Sequence, residues 1–508
     1  MRRQTIIVLG VALLLFVAVG ASAQLVNPSS EGMLDDHEQR IAALEEQVFG
    51  NEKTDPTTET ETTPTTQPKT GTPPTTQTQT GTPPTTQTET GTPPTTQAQT
   101  GTPPTTQADA GATGGSPSTT VPGGAKHLVI AEDTLIENQT MVLRPGDTVE
   151  FRNGARLSFG KGASADWQGT PTSTWSDDGR VQNLDRDIDI FGEGDIRFEH
   201  GSLKSVIRFV EVDLQPLQEL SHYPLHWHHA MDGSRGTLVE GVVIKNSTNR
   251  AFVPHASHGI TIRDSIAKNT VGDAFWWDRP EGTDTSNNTN DTVWERNLAD
   301  GVRNHFGDNR GYRLSAFRIG AGAGNVAIGN VAMNVKPSHV KDCSGFHWPE
   351  MHIAQMRDAW VFKDNVAHSN TCHGIFVWQN SGSTVVENFR AYDNGKWDIS
   401  HGAYNNNYTY RNFDVETIRL QAVGVSFEGG EVDVVVAHEH RFSKEIQFTG
   451  TDIGAFIINS DKSGSGNKHP AHYIFTDTTL TFDDVSEGSG GAFPGTLVTI
   501  NGVTRSYG

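Results

Sequence analysis

IRDSIA (262–267), ERNLA (295–299), IGNVA (328–332), KDNVA (363–367), ENFRA (387–391) and RNFDV (411–415) are six copies of one short phrase. Their last residues, Ala267, Ala299, Ala332, Ala367, Ala391 and Val415, step by 32, 33, 35, 24 and 24 residues. VVIKNS (242–247) is an earlier and tighter copy. Short β-branched runs, Asn or Asp at the turns and no sustained 3.6-residue pattern after residue 125 exclude a helical repeat. The repeat predicts an all-β fold, a right-handed parallel β-helix, with each copy one coil and coils about 4.8 Å apart. A 24-residue coil suffices late in the chain, so the longer steps carry loops. RPEGTDTSNNTND (279–291), GDNRGYRLSAFRIGAGAG (307–324) and NVKPSHVKDCSGFHW (334–348) would wall a groove along the solenoid.

Upstream of this domain, expected over 125–508, composition changes three times. Residues 1–23 read as a signal peptide: Arg2 and Arg3, an apolar run from Ile6 to Val19, then Ala21-Ser22-Ala23. Cleavage before Gln24, or an uncleaved anchor as the alternative, predicts a secreted or cell-surface protein. Residues 24–50 hold a short helix or coiled coil, with Leu34, Ile41, Leu44 and Val48 at a/d spacing over 31–50. This is a handle for homo-oligomers or merely a frayed amphipathic helix. From 51 to 124 the chain is Thr, Pro, Gln and Gly, with TGTPPTTQ recurring every ten residues from Thr70. Such a tract cannot bury a core and predicts a disordered stalk.

Twenty histidines and a net charge of −21 mark the chain further. The charge counts against nucleic acid as a partner, and no phosphate-binding loop, dinucleotide fingerprint or serine elbow is present. His226-Trp227-His228 is an H-x-H; on a strand both imidazoles point to one face. His255 and His258, then His347, follow in later coils. If PLHWHHA, AFVPHASHG, DAFWWD and SGFHWPE lie on successive coils, His228, His255, Asp278 and His347 fall on one line. Two or three of His226, His228, His255, His258 and His347 with a carboxylate can hold a divalent cation with an open position. Without metal, His228, His255, Asp278 and Asp273 supply His–Asp or paired-carboxylate acid–base chemistry. The plain alternative is a ladder of stacked, hydrogen-bonded histidines. Trp276, Trp277 and Trp348 are candidate sugar platforms or core residues. Arg303, Arg310, Arg313 and Arg318 form a basic strip for an acidic glycan, Arg318 being the candidate contact. Cys343 and Cys372 occupy equivalent places on adjacent coils, which predicts a disulfide in an exported chain, with free thiols as the alternative.

These motifs also carry a resemblance. Tyr223 to His228, Asn249 to Ala251, His258-Gly259 and Asp273 to Phe275 resemble the β-helix region of the cell-surface hyaluronidase family and its fibrocystin-like relatives. The likeness extends over about 200–380, with SAFRIGAGAGNVAIGNVA and CSGFHWPE as later coils. GDTVEFRNGARLSFGKGASADWQGTPTSTW resembles a shortened form of that family's eight-glycine domain. The resemblance implies a carbohydrate-active β-helix acting on an extracellular polysaccharide by hydrolysis; it does not fix the sugar. The runner-up class is a polysaccharide lyase or epimerase, and the non-enzymatic alternative is a stalked glycan-binding adhesin.

Overall fold

The computed structural model describes residues 124–508, apart from stretches at 220, 277–287, 305–312, 321, 338–341, 349–359, 378–382, 403–406, 422–423, 440–444 and 461–468. The leader, the heptad segment, the stalk, Trp277, Asp278 and Arg310 therefore lie outside the described residues. The chain divides into two units, residues 1–113 and 114–508, and the second carries every described residue. Among the described residues no helix is long and apolar enough to cross a membrane.

Strands stack in parallel register from coil to coil, in three rows. The first row runs Val206–Arg208, Leu238–Glu240, Thr261–Arg263, Val293–Glu295, Val326–Ile328 and Val361–Lys363. The second runs Val243–Lys245, Ile266–Lys268, Leu298–Asp300, Val331–Met333, Val366–His368 and Arg390–Tyr392. The third runs Leu225–Met231, Phe252–Ser257, Phe275–Trp276, Arg313–Arg318, Asp342–Trp348, His373–Val377 and Ile399–His401. This is a parallel β-helix. The six anchor ends are direct partners: Ala267 with Ala299, Ala299 with Ala332, Ala332 with Ala367, Ala367 with Ala391 and Ala391 with Val415.

The sequence makes this coil by alternating apolar residues within three-residue strands and breaking them at left-handed turns. Between the first two rows the turn residues Phe209, Gly241, Asp264, Arg296, Gly329, Asp364 and Asn388 all have φ between 48° and 65°, a region that Gly, Asn and Asp tolerate best and that Phe209 and Arg296 adopt at a cost. The residue after each turn is often a buried Asn. Asn297 N and Nδ2 donate to Asn330 Oδ1, each at 3.0 Å, and Asn330 repeats this to Asn365 at 2.9 and 3.0 Å. These ladders satisfy the turn amides that the solenoid buries. In the bore, Phe252, Phe275, Phe317 and Phe346 stack at 4.7, 4.5 and 5.0 Å, each contact adding about 0.5–1.5 kcal/mol beyond burial. Cys343 and Cys372 lie in the bore on adjacent coils, Cα atoms 5.1 Å apart, and form the disulfide.

Candidate functional site

The site grows from an outward-facing polar row at the start of the third row of strands. In the strand Asp189–Phe198, Ile196 and Phe198 point into the bore and Asp195 and Arg197 point the other way, with Glu199 continuing the alternation. Its neighbour Leu225–Met231 pairs Arg197 with His226 and Phe198 with Trp227. Phe159, Phe198 and Trp227 stack inside at 4.8 and 5.2 Å, and that stack fixes the outward set.

Two charged groups result. Asp195, 1% exposed at its side chain, takes Arg156 Nε on Oδ1 at 2.6 Å and faces Nδ1 of His222 with Oδ2 at 2.8 Å. Burial pushes the Asp195 carboxyl above its usual value, against the pull of Arg156 and His222. Glu199 meets Arg197 Nε at 2.9 Å and His228 Nδ1 at 3.5 Å. Burial works to raise Glu199, but His228 and Arg197 outweigh it and hold the carboxyl below its ordinary range. Arg197 also touches His228 Nδ1. Arg156, Glu199, His200, Lys161, Asp133 and Glu137 line an open cleft of about 450 Å³.

Beside them is an imidazole cluster. His228 and His255 are direct register partners, and His229 joins them, with ring centres 4.6 Å from each. His226 lies behind, 1% exposed, 5.1 Å from His228 and parallel to His255 at 6.2 Å. Burial first, then the neighbouring His228, Arg197 and His255, keep His226 neutral; only the Ser221 backbone pulls the other way.

Other candidates stand elsewhere. His258 is in the turn beyond Ser257, where its Nδ1 accepts from Asn290 N at 3.3 Å, outside the cluster. His347 does not share a line with His228. It pairs with Arg318, which pairs with Trp276, while Val253, next to the paired Phe252, pairs with His226. His347 thus belongs to the column of His226, four coils away or roughly 19 Å at about 4.8 Å per coil. One ion cannot bridge them. His347 is buried against Phe376.

Asp273 is buried and committed. It accepts from Ser315 N at 2.7 Å, Ser315 Oγ at 2.8 Å and Arg318 Nε at 2.9 Å, with Arg250 Nε at 3.8 Å. Asp273 and Arg318 therefore hold coils together rather than forming an open acid and an open basic strip. Trp276 is 8% exposed, with Arg250 over its ring at 3.8 Å and Tyr223 against its edge. That face is already covered. Trp348 lies wholly in the bore against Phe362 and Tyr408, because it sits one residue past outward His347. Neither ring is an exposed platform.

The candidates read from the sequence do not include Asp195, Arg197, Glu199, His222 or His229. For Asp195, Arg197 and Glu199 the signal was in GDIRFEH (194–200), whose polar residues alternate with Ile196 and Phe198 one coil before the H-x-H strand.

A match to a protein-family model falls on the same coils. Residues 191–307 match the family model described as the CEMIP beta-helix. A stretch of 106 residues is 31% identical to the Cell migration-inducing and hyaluronan-binding protein of Mus musculus, covering 20% of this chain and 8% of that protein. A stretch of 96 residues is 31% identical to the Cell surface hyaluronidase CEMIP2 of Homo sapiens, 18% of this chain and 7% of that one. The chain thus matches less than a tenth of the length of these relatives. Among solved structures, the catalytic domain of a GH87 alpha-1,3-glucanase in complex with nigerose aligns with TM-score 0.33 and 11% identity, over 74% of this chain and 62% of that one. The site-bearing coils, residues 191–307, are similar in sequence to the beta-helix of the CEMIP family, as the motifs around His226 and His228 implied.

Proposed function

We propose that this protein hydrolyses an extracellular polysaccharide containing uronic acid or amino sugar, with the chain of sugars lying along the outward row. The observation that carries the reading is the pairing of His222 with buried Asp195, on the same strand face as Glu199, within coils that match the CEMIP beta-helix model. A buried carboxylate behind Nδ1 fixes the ring and leaves its other nitrogen for proton transfer. Glu199, held ionised by Arg197 and His228, supplies negative charge against the oxocarbenium-like transition state of glycoside cleavage. Arg156 is taken by Asp195, so Lys161 on the cleft wall is the cation offered there to an acidic sugar.

Export and the stalk, read from residues 1–124, put this activity at the cell surface or outside it. The test is release of reducing ends from a polysaccharide panel by the wild type and by Glu199→Gln and His222→Gln. The reading expects activity in the wild type and a loss of about 10²–10⁴-fold in each variant. Binding without cleavage by any of the three would favour a glycan-binding adhesin.

A further inference from the structure

Three imidazoles meet where a strand breaks its own alternation. His255 pairs with His228, but Ser257 pairs with Met231, so Leu225–Met231 carries one residue more than its partner across this step. That extra residue is a β-bulge, with His229 at φ 51° and Met231 at φ 52°. In an unbroken strand His229 would face opposite to His228. The bulge turns it to the same side. Left-handed backbone at a residue other than glycine costs on the order of 1–2 kcal/mol, and bulges of this kind gather beside functional sites.

The distortion is held in place. Ala230 N donates to Ser257 Oγ at 3.0 Å, Ser257 Oγ to the His255 carbonyl at 2.8 Å, and His200 Nδ1 to the His229 carbonyl at 3.1 Å. Its result is that one ring nitrogen from each of His228, His229 and His255 lies within 4.8 Å of the others. Behind the trio, both nitrogens of buried His226 lack a hydrogen-bond partner of normal geometry.

We propose that His228, His229 and His255 form a binding site for one divalent transition-metal ion of the zinc class. Imidazole donors select such ions over calcium or magnesium, which prefer oxygen. Three protein ligands leave a position for water or for an anionic group of the sugar. Glu199 Oε2 lies 3.5 Å from Nδ1 of His228, a nitrogen that Arg197 also contacts; a carboxylate close to a ligating histidine helps to orient it. His258 and His347, apart from the trio, take no part. The site goes beyond the hydrolytic reading, because occupancy is measured without any sugar.

The experiment uses the untagged full chain, stripped with chelator, checked for retained fold and titrated with zinc alone by calorimetry, then with cobalt alone for its visible bands. The wild type should bind one ion per chain. His229→Gly keeps the left-handed backbone and removes the donor, and with His255→Ala it should weaken binding by more than about 100-fold, whereas His258→Ala should not. Absence of zinc binding in folded wild type, or equal affinity in His229→Gly, would overturn the proposal. Loss of polysaccharide cleavage with zinc binding intact would count against the hydrolytic reading alone.

Discussion

Nδ1 of His222 lies 2.8 Å from Oδ2 of Asp195, a residue 27 positions earlier and almost wholly buried. The other oxygen of Asp195 is taken by Arg156, so the carboxylate is fixed from both sides. Asp195→Asn keeps the shape but removes the charge that orients His222. Turnover should fall by about 10²-fold or more while the circular dichroism spectrum is retained. Unchanged turnover in a folded Asp195→Asn protein would remove His222 from the proton-transfer role.

A second prediction concerns Asp273, the hub joining Ser315, Arg318 and Arg250 across coils. Asp273→Ala strands two arginines that are themselves largely buried. Breaking a buried pair from one side costs about 3–5 kcal/mol, to be read from denaturant midpoints. A loss of activity with no loss of stability would instead return Asp273 to the chemistry.

The disulfide gives a third. Peptide mapping without reduction should recover Cys343 joined to Cys372, which are 29 residues apart. Replacing both with Ala should cost about 3–4 kcal/mol by loop-closure entropy. Free thiols in protein produced under oxidising conditions would contradict the register of those two coils.

The fourth is a pH effect away from the site. Burial raises the Asp398 carboxyl to about 6, against hydrogen bonds from Asn394, Glu416 N and Thr417 N, with Asp393 adding to the rise. An acid that holds its proton more tightly when folded stabilises fully below its ordinary value near 3.8 and loses that contribution as pH climbs through its folded value. Wild type should therefore lose about 1–3 kcal/mol relative to Asp398→Asn between pH 4 and about pH 6.5, measured as paired urea midpoints. A difference that stays flat across that window would show that Asp398 is not the group responsible.

The fold was legible because a solenoid repeats its physics. Ala267, Ala299, Ala332, Ala367, Ala391 and Val415 align in the sequence for the reason that they pair in space: each coil must put a small or branched residue at one point of the bore. Cys343 and Cys372 were legible through the same register. The site was legible only in part. H-x-H placed His226 and His228 on one side and the register added His255. His229 was hidden because a period of two assigns it to the bore, and only the bulge moves it out. His347 was misplaced because loops of unequal length blur which residues of distant coils share a column. Asp195 and Glu199 lie on an earlier coil with no histidine between them to draw attention. Arg318 read as a free cation because sequence alone does not reveal that Asp273 neutralises it.

Digestion of a uronate- or amino-sugar-containing polysaccharide in heavy-oxygen water tests the central claim most directly. Hydrolysis predicts shortened chains that carry the label at the new reducing end, with no unsaturated uronate absorbance, and none of this with Glu199→Gln. Shortened chains without label and with new absorbance would contradict the account and make the protein a lyase.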